Sequence, residues 1–220
     1  MPADDAASRD RPGVVGVLLA GGQARRLGGG DKCLLPLGER TILDAVVVRA
    51  RPQVTCLVLN ANGESTRFRS FGLPVVADVI EGSAGPLAGI LTGLEWAQAN
   101  APACPWVASF ATDTPFLPHD FVARALTALA AGGAEIACAV SRGRAHPVFG
   151  LWPVRLAPAL HQAVAIEGVR KIDVWTARYR PARVAFEAEP VDPFLNINDA
   201  DDLLEARRLH AAMQKCGGRQ

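Results

Sequence analysis

Residues 14–20 read VVGVLLA, an unbroken apolar run that ends on the pair Gly21-Gly22. A strand with one wet face alternates apolar and polar residues. A run with no polar position must be buried on both faces, as strands are inside a parallel sheet covered by helices. The chain repeats that demand. Residues 54–59 (VTCLVL), 73–77 (LPVVA) and 106–111 (WVASFA) read as further strands, with Asn60, Asp78 and Asp113 at or just beyond their ends. Helical periodicity fills the intervals. Residues 41–51 place Ile42, Leu43, Val46, Val47 and Ala50 on one face, with Thr41 as cap and Asp44 three residues on. Residues 85–99 do the same with Leu87, Ile90, Leu91, Leu94 and Ala97 behind Pro86. Residues 120–131 form a helix closed by Gly132-Gly133. Residues 135–140, 147–152 and 183–186 are the remaining strand candidates; 156–165, 169–179 and 199–210 are the remaining helices. Strand–helix alternation predicts an α/β domain with a mainly parallel sheet flanked by helices. One domain is expected over residues 13–211, between a disordered tail (1–12) and a flexible one (212–220).

Composition narrows the partners. Half of the 220 residues are hydrophobic, enough for a substantial core, and the formal net charge is +1. A global basic field of the kind that draws nucleic acid is absent, so anion recognition has to be local. Residues 1–12 are polar and lack the apolar centre of a signal peptide. The longest apolar run falls far short of the ~20 residues that span a bilayer. A soluble, cytoplasmic protein is expected. Five cysteines, with no C-x-x-C pair, argue against a disulfide framework and against a zinc ribbon.

The loop after the first strand concentrates the chemistry. Residues 19–32 read LAGGQARRLGGGDK. A P-loop needs glycine before its lysine and Ser or Thr after it, but Asp31 and Cys33 flank Lys32. The dinucleotide fingerprint fails too, because Cys33 stands where its third glycine belongs. The loop can still cradle an anion. Gly21 and Gly22 permit close backbone approach, Arg25 and Arg26 offer forked donors, and Lys32 adds a point charge.

Other residues carry two readings each. Asp113, in ATDTPFLP, is either a turn former or a Mg²⁺ ligand facing the basic loop. Asp78 has the same ambiguity. GSAGPLAG (82–89) either starts a helix well or offers helix N–H groups to an anion. Asn196 and Asn198, in FLNIND, either bind a ligand or cap the last helix, and capping is the simpler reading. His146, before Pro147, reads as structural. No Ser/His/Asp set presents itself and G-x-S-x-G is absent, which argues against covalent hydrolase chemistry.

Taken in order, LAGGQARRLGGGDK, NAN, VVAD, GPLAG, TDTPFLP, HP and NIND resemble the molybdenum cofactor guanylyltransferase family, MobA-like, from about residue 14 to 209. The resemblance implies a single Rossmann-like nucleotidyltransferase domain. It implies transfer of GMP from GTP to the phosphate of molybdenum-molybdopterin, with pyrophosphate released and Mg²⁺ required. By position, Leu19, Ala20, Gly21 and Gly22 would contact GTP, Lys32 its phosphates, and Asn60 and Asp78 its guanosine portion. Asp113 would ligate Mg²⁺. Arg26 would act beside Lys32 in catalysis, and Arg26, Lys171, Asn196 and Asn198 match positions associated with the pterin substrate. Transient contact with molybdoenzymes or their chaperones is a further expectation. Rival readings are a molybdopterin cytidylyltransferase, a sugar-phosphate nucleotidyltransferase, and a nucleotide-binding cofactor chaperone without turnover.

Overall fold

The computed structural model describes residues 13–21, 29–82 and 85–217. Its main sheet holds seven strands in the order β5-β4-β1-β6-β8-β7-β9. β1 (Val14–Leu19), β4 (Cys56–Asn60), β5 (Val75–Val76) and β6 (Trp106–Ala111) run parallel. β7 (Ala137–Ser141) and β8 (Arg144–Pro153) form a hairpin, and β8 pairs antiparallel with β6. β9 (Ala182–Phe186) lies parallel to β7. A separate two-stranded ribbon joins β2 (Pro36–Leu37) to β3 (Arg40–Thr41).

The unbroken apolar run of β1 is explained by helices on both faces. Val14 and Leu18 join a cluster with Leu43 and Val46 of α1 (Ile42–Ala50) and Phe121 and Ala125 of α3 (Phe121–Ala130). Val15 and Val17 face the opposite way, onto Leu87, Ile90 and Leu94 of α2 (Pro86–Asn100) and Leu160 of α4 (Ala157–His161). A short α5 (Ile172–Thr176) and a long α6 (Ala200–Gly217) follow. Thr41 closes the predicted capping box: its Oγ1 accepts from Asp44 N–H at 3.1 Å, and Asp44 Oδ2 accepts from Thr41 N–H at 2.9 Å. Among the described residues, no helix is long and apolar enough to cross a membrane.

Several boundaries move. The strand expected over 73–77 shrinks to two residues, because β5 is an edge strand that pairs only with β4. The helix expected over 156–165 is a 3₁₀ turn, then α4, then a π turn over Gln162–Ile166. The helix expected over 169–179 contracts to α5, and the one expected to stop at 210 continues to Gly217. The tail assigned to 1–12 lies outside the described residues.

The hairpin depends on one small residue. Gly150 shares a strand face with Trp152, whose indole folds back across it; a Cβ at Gly150 would sit 2.1 Å from Trp152 Cζ2. The indole is fully buried and donates to Ser109 Oγ at 2.8 Å. Gly150→Ala therefore overpacks the β6–β8 seam and should destabilise the protein by about 1–3 kcal/mol. An unchanged urea midpoint would show that the seam has slack.

Candidate active site

The parallel strands end level with one another. Leu19 is in register with Asn60 and with Ala111, and Asn60 with Val76. The segments that follow open a cleft of about 410 Å³ at this carboxyl edge, where open α/β sheets bind ligands. Leu19, Gly21, Asn60, Asp78, Asp113 and Asn196 are among its walls. A second cleft, about 560 Å³, adjoins it and shares Ala111, Val148 and Asn196.

At the junction three distant segments meet on one ammonium. Lys32 Nζ donates to Asp113 Oδ2 at 2.6 Å and to Asn198 Oδ1 at 3.3 Å. The lysine is 8% exposed, so its charge needs these partners. Lys32 opens a 3₁₀ turn over Lys32–Leu34, and Asp113 follows β6. Asn198 belongs to a strap pinned by Ile197 N–H to the Asp113 carbonyl at 3.0 Å. The expectation that Asn196 or Asn198 caps the last helix is corrected. Asp199 does that, accepting from Asp201 and Asp202 N–H at 3.1 and 3.0 Å, which leaves both asparagines to the clefts.

At the far end of the first cleft, Asp78 is held by two amides. Asn60 Nδ2 donates to Oδ1 at 2.9 Å and Asn62 Nδ2 to Oδ2 at 2.7 Å, while Asp78 N–H donates back to Asn62 at 2.8 Å. Ala20 is buried, and its N–H donates to the Asn60 carbonyl at 2.9 Å. The GPLAG stretch explains its glycines sterically. A Cβ at Gly89 would lie 2.3 Å from Asn60 Oδ1, and one at Gly93 2.9 Å from Val17. α2 can press onto β1 only because those positions are bare.

Gly22 and Arg26 lie outside the described residues. Lys171 lines neither cleft and is exposed. Cys33 is buried; burial, then Asp31, pushes its thiol up to about 12, so it remains protonated and unreactive.

Two arrangements escaped the sequence. Arg67 forks onto Asp31, Nε to Oδ2 at 2.5 Å and Nη2 to Oδ1 at 3.4 Å, and reaches the carbonyls of Asn62 (2.7 Å) and Glu64. It thereby ties the residue before Lys32 to the segment that holds Asp78. The other is a Ser141–His146–Asp192 set in the second cleft. Ser141 Oγ donates to Asp192 Oδ1 at 2.9 Å and lies 2.8 Å from His146 Nε2. The set is not a nucleophile's triad: the serine hydroxyl gives its proton to the carboxylate and is only 2% exposed. Asp113 in the first cleft, Asn198 in the second and the Lys32 ammonium bonded to both suit the handling of phosphates, not acyl transfer.

A family model described as the MobA-like NTP transferase domain matches residues 16–181. The chain belongs to that family. It is a nucleotidyltransferase. It is similar to the molybdenum cofactor guanylyltransferase of Bradyrhizobium sp. (strain ORS 278), 52% identical, with 91% of this chain and 94% of the relative covered. In fold it is similar to the molybdopterin-guanine dinucleotide biosynthesis protein A of Archaeoglobus fulgidus, at a TM-score of 0.70 and 21% identity, over 90% of this chain and 99% of that one. It is also similar in fold to a Mycobacterium tuberculosis protein solved in complex with manganese, at a TM-score of 0.63 and 21% identity, over 89% and 98% of the two chains.

Gly89→Ala tests whether Asn60 and Asp78 belong to the nucleotide side. The added methyl must displace the Asn60 amide from the Asp78 carboxylate. Nucleoside triphosphate affinity should fall by about tenfold or more by isothermal titration, the loss of at least one buried hydrogen bond. Wild-type affinity would remove both residues from that side.

Proposed function

We propose that this protein transfers the guanylyl group of GTP to the terminal phosphate of molybdenum-molybdopterin, making molybdopterin guanine dinucleotide and pyrophosphate. The observation that carries this reading is the Lys32–Asp113–Asn198 cluster at the join of two clefts, one for each substrate. GTP takes the first cleft, with its guanosine toward Asn60 and Asp78 and its phosphates toward Gly21 and Lys32. Molybdopterin takes the second, with its phosphate at the Asn196–Asn198 strap.

The residues present fit a divalent cation. Among the described residues Asp113 Oδ1 has only Thr114 Oγ1 as partner, at 3.5 Å, and its side chain is 18% exposed. Among the described residues no three His, Cys, Asp or Glu side chains gather into a metal site. One carboxylate completed by substrate phosphates is the pattern Mg²⁺ favours. When bound at Asp113, the cation supplies charge neutralisation between two anionic substrates.

An oxygen of the acceptor phosphate forms a bond to the α-phosphorus of GTP. The bond to the bridging oxygen breaks, and pyrophosphate leaves with the electron pair. Lys32 leaves its resting partner and offsets the charge that builds on the phosphate oxygens. A phosphate nucleophile is already ionised at neutral pH, so the site needs no general base. Cytoplasmic turnover, and transient hand-over of the product to molybdoenzymes or their chaperones, belong to the same reading.

The test is incubation with GTP, Mg²⁺ and molybdenum-loaded molybdopterin, followed by detection of the dinucleotide. Lys32→Ala and Asp113→Ala should each lower turnover at least tenfold, a loss of ~1.4 kcal/mol or more of transition-state stabilisation. Wild-type rates in both variants would contradict the phosphate and metal assignments. A clear preference for CTP would instead make the protein a cytidylyltransferase, and GTP binding without product would make it a carrier.

A further inference from the structure

The second cleft contains a hydrogen-bond chain whose direction can be read. Ser141 has one hydroxyl proton, and a carboxylate can only accept. The proton therefore points to Asp192 Oδ1, and the 2.8 Å contact with His146 requires Nε2 to carry the hydrogen. Burial lowers the pKa of His146, Asp192 opposes that and Arg144 reinforces it, so the ring is neutral at pH 7. A neutral ring protonated at Nε2 has a bare lone pair on Nδ1.

The ring is also fixed in orientation. It stacks on Phe194 with centroids 4.7 Å apart and planes 23° apart. Asp192 Oδ1 accepts Phe194 N–H at 3.0 Å, so the carboxylate that orients the serine also orients the stacking partner. Among the described residues Nδ1 has no hydrogen-bond partner, and His146 lines the second cleft beside Phe149, Phe194 and Arg144. A fixed, neutral acceptor in a cleft walled by aromatic rings is built to take an N–H donor.

We infer that His146 is a substrate-binding residue, held by Ser141 and Asp192 as the Nε2–H tautomer so that Nδ1 accepts a hydrogen bond from a ring N–H of the acceptor substrate. The identity of that substrate rests on the guanylyl transfer reading. Pterins carry several N–H donors that such a nitrogen can accept.

Two measurements test this. In full-length protein labelled with ¹⁵N-histidine, the His146 signal, assigned by its loss in His146→Gln, should show protonated Nε2 and bare Nδ1 at pH 7.5. On addition of molybdenum-loaded molybdopterin, the Nδ1 shift should move in the direction of a nitrogen accepting a hydrogen bond. A protonated Nδ1, or an Nδ1 shift that ignores the added substrate, overturns the inference. In turnover assays His146→Gln should raise the KM for molybdopterin about tenfold, the value of one hydrogen bond at a desolvated site, and leave the KM for GTP unchanged. Equal effects on both KM values, or none, overturn it as well. Absence of turnover in the wild-type protein would contradict the guanylyl transfer reading instead, and the nitrogen shifts would still decide the histidine.

Discussion

The ion pair between Lys32 and Asp113 organises everything around it. An ammonium almost out of contact with water is unfavourable unless opposite charge and hydrogen bonds offset its desolvation, and breaking such a pair is far more damaging than its net contribution to stability suggests. Here the partners come from the turn after the glycine loop, the end of a central strand and the C-terminal strap. Each segment must be in place before the lysine is satisfied. The same cluster is also reactive in design. A triphosphate can replace the carboxylate as the lysine's partner, and a cation can replace the lysine as the carboxylate's.

Support for the pair extends outward on both sides. Toward the first cleft, Arg67 holds Asp31 and reaches the Asn62 carbonyl, so the lysine's neighbour and the Asp78 clasp share one guanidinium. Toward the second cleft, Asp192, Phe194 and Ile197 pin the strap to Ser141, His146 and Asp113 in turn. Bare positions at Gly89 and Gly93 let α2 press the Asn60 end of this frame against β1. The clefts are therefore bounded by regular structure, and the polar side chains within them are held by second partners.

Local physics made much of this legible in the sequence. Apolar runs without a polar position required a sheet covered on both faces, and Thr41 with Asp44 announced a helix start that the backbone adopts. The residues that end the strands were visible because Gly, Asn and Asp there interrupt apolar patterns. Long-range pairings were not visible. Nothing local joins Ser141 to Asp192 or Arg67 to Asp31, since such pairs form only when the sheet is assembled. Asn196 and Asn198 looked like caps because the composition of a cap is also that of a ligand; Asp199 took the capping role and released them. The β7–β8 hairpin was masked by its turn, where Arg142 adopts a positive φ of 47° beside Gly143, a conformation arginine seldom takes.

On the proposed reading the Lys32–Asp113 pair is a resting contact which the substrate divides. The most direct measurement is the separation of the Lys32 ammonium and the Asp113 carboxylate in a crystal structure of the Mn²⁺·GTP complex. The present 2.6 Å contact should open beyond about 4 Å, the limit of an ion pair, with Lys32 on a phosphate oxygen and Asp113 on the metal. A pair still closed, with GTP bound and its phosphates elsewhere, would contradict it.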